Sequence, residues 1–196
     1  MTQVELIKAL NALSLQHKKK IFTLKELAIW FGHSRASVAM GLIRAKRQSL
    51  VFSVNNFWFN QLDPPTLEQL ALTIKSPSYI SFESALNHHG IVSQAPQGQL
   101  TLATCGRSST VHTPIGQIGF AHVKSELFFG FDDQQMATAE KAFLDLIYLR
   151  TKKGMNPLFT ETIYFEQLNQ QKLKTLARKY PSWVYRKYLL NRTSPP

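Results

Sequence analysis

Apolar residues Val4, Leu6, Ile7, Leu10 and Leu13 recur at three- and four-residue intervals, the spacing that gathers side chains on one helix face, and predict a helix over residues 2–15. Polar residues 16–20 end it. Thr23 opens a second, shorter helix: its hydroxyl can accept from free backbone N–H groups, and Glu26, three residues on, completes a capping box. Leu24, Leu27 and Ala28 form its apolar side, Phe31 closes it, and Gly32 turns the chain, because glycine adopts positive φ without Cβ strain. Ser34 caps a third helix over 35–47, with Val38, Leu42 and Ala45 facing inward. Two β-rich runs, 50–54 and 57–59, then flank Asn55-Asn56, a pair that tolerates positive φ and predicts a tight hairpin. Helix, short helix, turn, helix and hairpin in that order are the plan of a winged helix-turn-helix.

Asp63-Pro64-Pro65 interrupts the periodicity and marks an expected boundary between domains 1–62 and 66–190. Beyond it the pattern changes. Short helices are expected over 66–74 and 82–89, the first broken by Lys75-Ser76-Pro77 and the second ended by Gly90. Strands are expected over 99–104, 110–112 and 115–123, with bends at Gly116 and Gly119. Thr138 caps a helix over 139–152, a further helix spans 166–179, and 191–196 reads as a loose tail. The fold class is therefore α+β: an N-terminal winged helix-turn-helix followed by a small mixed α+β domain.

Composition adds charge to this picture. The chain has 196 residues and a formal net charge of +11, so polyanions attract it whatever its fold. Residues 1–75 hold 10 basic and 4 acidic side chains, and the remainder holds 13 and 8, so both parts can sit near phosphates. No apolar run reaches the roughly 18 residues that cross a bilayer, and the N-terminus lacks a basic start and a small-residue cleavage site, so no membrane partner is expected. The single cysteine, Cys105, rules out an internal disulfide and suits a reducing cytoplasm.

The expected partner is double-stranded DNA, with the third helix in the major groove, where base pairs present distinct donor and acceptor patterns. With Val38, Leu42 and Ala45 inward, Arg35, Ser37, Met40, Gly41 and Arg44 lie outward or to the side. Arg35 and Arg44 can reach guanine edges or phosphates. Ser34 and Ser37, beside free N–H groups, can meet a phosphate. Lys46 and Arg47 are assigned to the DNA backbone, and Asn55 and Asn56 to the wing tip. Trp58 and Phe59 alternate across the wing, with core packing the favoured role for both. In the second domain Arg107, on a turn, is the candidate for a further phosphate contact or an ion pair.

Other chemistry is sparse. His88, His89, His112 and His122 have no ligand spacing typical of zinc, and adjacent histidines diverge on a helix, so no metal is expected. Asp132-Asp133 lacks the preceding Gly-Ser and the partner acid of a nucleotidyl-transfer site. Glu140 and Asp145 stand five apart and do not share a helix face, and Glu140 lies in the first turn, where it favours the helix dipole. Cys105 fills a strand end. No catalytic residue and no cofactor is assigned, which sets a DNA-targeted nuclease or nucleotidyltransferase behind a DNA-binding regulator. A solitary regulator or a protein-interaction module is the remaining alternative.

Several short motifs fall in a specific order. They are Tyr79-Ile80-Ser81, Glu83-Ser84-Ala85-Leu86, His89-Gly90, Thr104 with Arg107, Gly130-Phe131, and the run from Ala137 to Leu146, ATAEKAFLDL. Together they resemble the AbiEi family, bacterial transcriptional regulators that act as antitoxins of the AbiE type IV toxin–antitoxin systems. The resemblance covers residues 78–150 and, in layout, 1–60. It implies an N-terminal winged helix that binds inverted repeats in its own promoter and represses it. It also implies a nucleotidyltransferase-like toxin, encoded alongside, that is counteracted without a stable complex. Glu83, His89, Thr104, Arg107, Glu140, Lys141 and Asp145 are its signature positions, with structural work implied: caps, ion pairs and packing. The Gly-rich wing end common among relatives is absent here. Separate copies on the repeats imply a monomer away from DNA.

Overall fold

The computed structural model describes residues 3–93, 97–155 and 163–192, with side chains described within 4–93, 97–155 and 163–187. It is a mixed α+β protein that divides into two compact units, residues 1–74 with 113–115, and residues 75–112 with 116–196. Among the described residues no helix is long and apolar enough to cross a membrane.

The first unit begins with α1 (Gln3–His17). Leu6 and Leu10 are buried and Ile7 and Leu13 pack beside them, whereas Val4, counted on the same face in the sequence, is exposed. α2 (Leu24–Phe31) starts as the capping box requires: Thr23 accepts from the Glu26 N–H, and the Glu26 carboxylate accepts from the Thr23 N–H. Gly32 ends it at φ 64. α3 (Arg35–Arg47) follows, capped by Ser34, and buries Val38, Leu42 and Ala45 against Leu6, Leu10, Leu27 and Phe22. β2 (Val51–Val54) and β3 (Phe57–Asn60) form the expected hairpin, with Asn55 at φ 53.

The hairpin is part of a three-stranded sheet, because the two residues of β1 (Phe22–Thr23) pair with β3, giving the order β1-β3-β2. A two-residue strand leaves no periodicity to read, and it escaped the sequence pattern. Cross-strand partners share a face, so Phe22, Trp58 and Val51 lie on one side, where they pack with the helices. Phe52 and Phe59 face the other way, 5.8 Å apart between ring centroids, and Phe59 is fully buried. Both Trp58 and Phe59 are thus packing residues.

The expected domain boundary moves. Asp63-Pro64-Pro65 is an elbow inside the first unit, which continues through α4 (Leu67–Ile74). The prolines do break the helical period, but Asp63 is tied back: its carboxylate accepts from Ser14 at 2.8 Å and pairs with Lys20. These partners hold its carboxyl below the usual carboxylate range. The break between units falls at Lys75, beside the cis Ser76–Pro77 bond.

The second unit is built on a four-stranded sheet, order β4-β5-β7-β6, from β4 (Ser78–Ile80), β5 (Gln99–Thr104), β6 (Ser109–Thr113) and β7 (Gly116–His122). β5 runs antiparallel to β4 and parallel to β7. Gly116 takes φ 145 at the start of β7, but Gly119 sits inside that strand opposite Thr101 and makes no bend. α5 (Phe82–His88) and α6 (Ala139–Lys152) pack together, and α6 buries nine consecutive residues, Glu140 to Tyr148. The helix expected over 166–179 is divided. A 3-10 turn at Phe165–Gln167 and an extended Leu168 precede α7 (Gln170–Ala177), because Asn169 caps α7 by accepting from the Gln171 and Lys172 N–H groups. α8 (Ser182–Arg192) was not anticipated, and it takes in Asn191 and Arg192 of the expected tail, whose last four residues lie outside the described residues.

The reciprocal cap fixes where α2 begins. Thr23→Ala should lower stability by about 1 kcal/mol, seen as a lower urea midpoint at unchanged m-value. An unchanged midpoint would mean that the Thr23–Glu26 bonds contribute nothing.

Candidate nucleic-acid interface

α3 owes its two faces to residue spacing. Val38, Leu42 and Ala45 are fully buried, so everything a half-turn away must face water. Ser34, Arg35, Ser37, Met40, Arg44, Lys46 and Arg47 are exposed, as expected, while Gly41 is only half-buried at the flank. Ser34 spends its hydroxyl oxygen on the Ser37 N–H at 3.2 Å, so it is a cap first. Lys46 donates to Ser53 Oγ of β2 at 2.6 Å, a bond that joins α3 to the hairpin and fixes the position of this ammonium. Asn55 and Asn56 are exposed at the hairpin tip. Sequence reasoning passed over Ala36 and Ile43, which are exposed on the same outward face. The helical period that placed Met40 there would have placed them too.

The electrostatics of this surface are one-sided. From Leu27 to Leu62 there is no Asp or Glu, while Arg35, Arg44, Lys46 and Arg47 all project from α3. Two of the acidic residues elsewhere in the unit are matched with other cations. Glu26 pairs with Lys19 and Asp63 with Lys20, so the Lys18-Lys19-Lys20 run is largely compensated. Burial pushes the Glu26 carboxyl up, but the bonds from Lys19 and Thr23 outweigh it and hold the group below its ordinary value. The cations on α3 have no such acidic neighbour in sequence. Arg107 does not join this set. It lies in the second unit, exposed, and its carbonyl rather than its guanidinium is engaged, accepting from Lys75.

The second unit holds a different constellation. Lys141 and Asp145 are one helical turn apart on α6, both with no exposure, and pair at 2.6 Å. Lys141 Nζ also donates to Tyr79 at 2.9 Å and to Tyr180 at 2.7 Å. Asp145 accepts from Tyr79, Ser81 and Tyr180 at 2.7–2.9 Å. The ammonium sits 4.8–5.2 Å from the ring centres of Phe129, Tyr79 and Tyr180. Burial drives the Lys141 pKa down against the pull of Asp145. Burial and the neighbouring carboxylate drive both tyrosines up. All three ammonium protons have partners and both charges are fully buried, so the arrangement is suited to holding the fold.

The motif residues converge on that network. Tyr79 and Ser81 come from the first motif and Lys141 and Asp145 from the last. Phe131 stacks on Tyr79 at 4.6 Å, and His89 Nε2 meets the Ala137 carbonyl at 2.8 Å. Gly130 has φ 77, where an L side chain is strained, and a Cβ there would lie 3.2 Å from Lys141 Cγ, so the Lys141 stem would have to give by a few tenths of an ångström. Thr104 accepts from the Gly106 N–H and donates to the Pro77 carbonyl. Glu140 leaves the network and turns to Asn169 N–H and Lys172 at the start of α7. Among the described residues no cluster of three His, Cys, Asp or Glu forms a metal site. Cys105 is a half-buried free thiol just beyond the end of β5.

No family model and no curated protein sequence matches this chain. Among solved structures, it is similar to the crystal structure of the RV2827C protein from Mycobacterium tuberculosis, with a TM-score of 0.56 at 12% identity, covering 93% of this chain and 74% of that one. At that identity the likeness is one of fold alone.

Lys141→Met leaves the Asp145 charge buried without a counter-ion and should cost about 3–5 kcal/mol; adding Asp145→Leu should recover a large part of it. Urea titrations of the two single variants and the double variant measure this, and additive losses would show that the pair is not coupled. Glu140 behaves differently with pH. Burial raises its carboxyl, but Lys172 and the backbone N–H groups of Glu140 and Asn169 hold it below its ordinary 4.5. Its contribution is therefore in force above pH 4.5 and is lost as pH falls through the lower folded value. Glu140→Gln should flatten that acid limb of the stability curve, and an unchanged limb would refute the assignment.

Proposed function

We propose that the chain is a sequence-specific DNA-binding transcriptional repressor in which α1 to β3 act as a winged helix-turn-helix. α3 lies in the major groove and the β2–β3 hairpin is the wing. The observation that carries this reading is the acid-free surface of α3, where four exposed cations stand on one 13-residue helix. At about 1.5 Å per residue such a helix is about 20 Å long, and a major groove about 12 Å wide admits it. Cations at its edges meet phosphates and set the register, and side chains on the outward face meet base edges. Lys46, held by Ser53, serves the backbone role. Arg44 carries base contact, and Asn55 and Asn56 lie at the wing tip.

The resemblance to the AbiEi family supports an extension of this proposal. The chain represses its own promoter at inverted repeats and counteracts a nucleotidyltransferase-like toxin encoded beside it. It acts in the cytoplasm and is a monomer away from DNA. The order and spacing of the motifs around Lys141 and Asp145 are the support for that extension, and the DNA-binding reading stands without it.

The test uses the full chain on the DNA upstream of its own coding sequence and on a scrambled duplex, across a salt series. Arg44→Ala should weaken the specific complex more than the non-specific one. Lys46→Ala should weaken both alike and lower the salt slope by about one unit. Folded variants that keep wild-type affinity and slope on both duplexes would remove α3 from the interface.

A further inference from the structure

The outward face of α3 is apolar at its centre. Residues 36, 40, 43 and 47 lie opposite the buried Val38–Leu42–Ala45 stripe at three- and four-residue steps, and the first three are Ala36, Met40 and Ile43. Met40 is 51% exposed and Ile43 39%. Polar and basic groups stand to the sides. Arg35 and Lys46 lie along one flank, Ser37 and Arg44 along the other, and Arg47 closes the stripe at its C-terminal end. Hydrogen-bonding side chains that read guanine or adenine edges are thus missing from the middle of the helix.

Within the major groove the one apolar feature of the bases is the C5-methyl group of thymine. We infer that Met40 and Ile43 read thymine methyl groups, so that α3 selects A·T pairs at the centre of each half-site through apolar contact. This rests on the DNA-binding reading above. Charge complementarity argues for DNA over a protein partner. An apolar stripe hemmed by four cations, on a stretch without a single acid, matches a groove walled by phosphates and floored by methyls. Ala36, with its small side chain, lets the helix approach the groove floor closely. Arg35, Lys46 and Arg47 then supply affinity that every sequence shares, and the stripe, together with Arg44, supplies the difference between sequences.

The experiment selects binding sites for the full chain from a random duplex pool. Binding is then measured on the selected site made with thymine and again with uracil, which lacks only the methyl. Selected sites should carry A·T pairs where α3 docks. Each uracil at a contacted position should weaken binding about fourfold, the effect of uncovering one methyl group, with the salt slope unchanged. The exposed-site double variant Met40→Ala/Ile43→Ala should stay folded by circular dichroism and bind the two duplexes equally. Equal wild-type binding to both duplexes overturns the inference, as does full methyl sensitivity retained in the double variant. Selection of no preferred sequence overturns the DNA-reading function itself, a distinct outcome. If the double variant instead abolishes a self-association seen by sedimentation and leaves methyl discrimination intact, the stripe is a contact between copies and the inference fails.

Discussion

An ammonium removed from water loses a solvation free energy that only close opposite charge and full hydrogen bonding can replace. Lys141 is in that position, with no exposed surface, and the second unit is arranged around it. Asp145 follows one turn later on α6, Tyr79 and Ser81 arrive on and just after β4, and Tyr180 arrives ahead of α8. Each must keep its place or leave a buried polar atom unpaired. Gly130 is favoured by its positive φ and packs tightly on the Lys141 stem, and Phe129 and Phe131 close the ring wall. An apolar core tolerates small shifts in any direction, whereas a network in which every donor has one acceptor fixes angles as well as distances. That specificity ties Tyr79, Ser81, Lys141, Asp145 and Tyr180, far apart in sequence, to one arrangement.

The first unit follows the opposite plan. Apart from the buried Asn60, which donates to Asn11, its core is apolar, with Leu6, Leu10, Leu27, Val38 and Leu42 at its centre, and its charges are held at the surface. There they are sorted. Glu26 and Asp63 are matched with Lys19 and Lys20, whereas Arg35, Arg44, Lys46 and Arg47 on α3 have no acid between Leu27 and Leu62 in the sequence. Exposed ion pairs of this kind contribute little to stability. Their effect is on the field of the molecule, since they reduce positive potential at the α1–α2 connection and leave that of α3 undiminished.

Much of the first unit was legible in the sequence because its signals are local. A capping box, a glycine turn, a serine cap and an Asn-Asn turn each occupy four residues or fewer, and the apolar period of α3 assigns its faces directly. What escaped was set by distant partners. β1 exists only because β3 lies beside it. Asp63-Pro64-Pro65 reads as a linker until Ser14 and Lys20 are seen to hold it. α7 starts late because Asn169 caps it, and α8 carries only a weak pattern, with Val184 buried and Trp183 stacked on Tyr148. Lys141 and Asp145 stood in the sequence only as signature positions; their four-residue spacing went unread as a pair, and their burial had no local signal, because the tyrosines that enclose them come from residues 79 and 180.

The same contrast bears on what each unit is built to do. Around Lys141 the side chains of the buried network pair with one another, although Thr138 Oγ1 at the head of α6 is buried without a hydrogen-bond partner. On α3 the accounting does not close. Folding explains Val38, Leu42 and Ala45, but it gains nothing from Met40 and Ile43 in water or from cations with no acid in the surrounding sequence. A helix shaped only for stability would carry Glu among its arginines and polar residues on its outer face. Departures from local consistency gather where a partner supplies the missing term. On the proposed reading of α3 that term is negative at the edges and apolar at the centre, and the two requirements together are more restrictive than either alone.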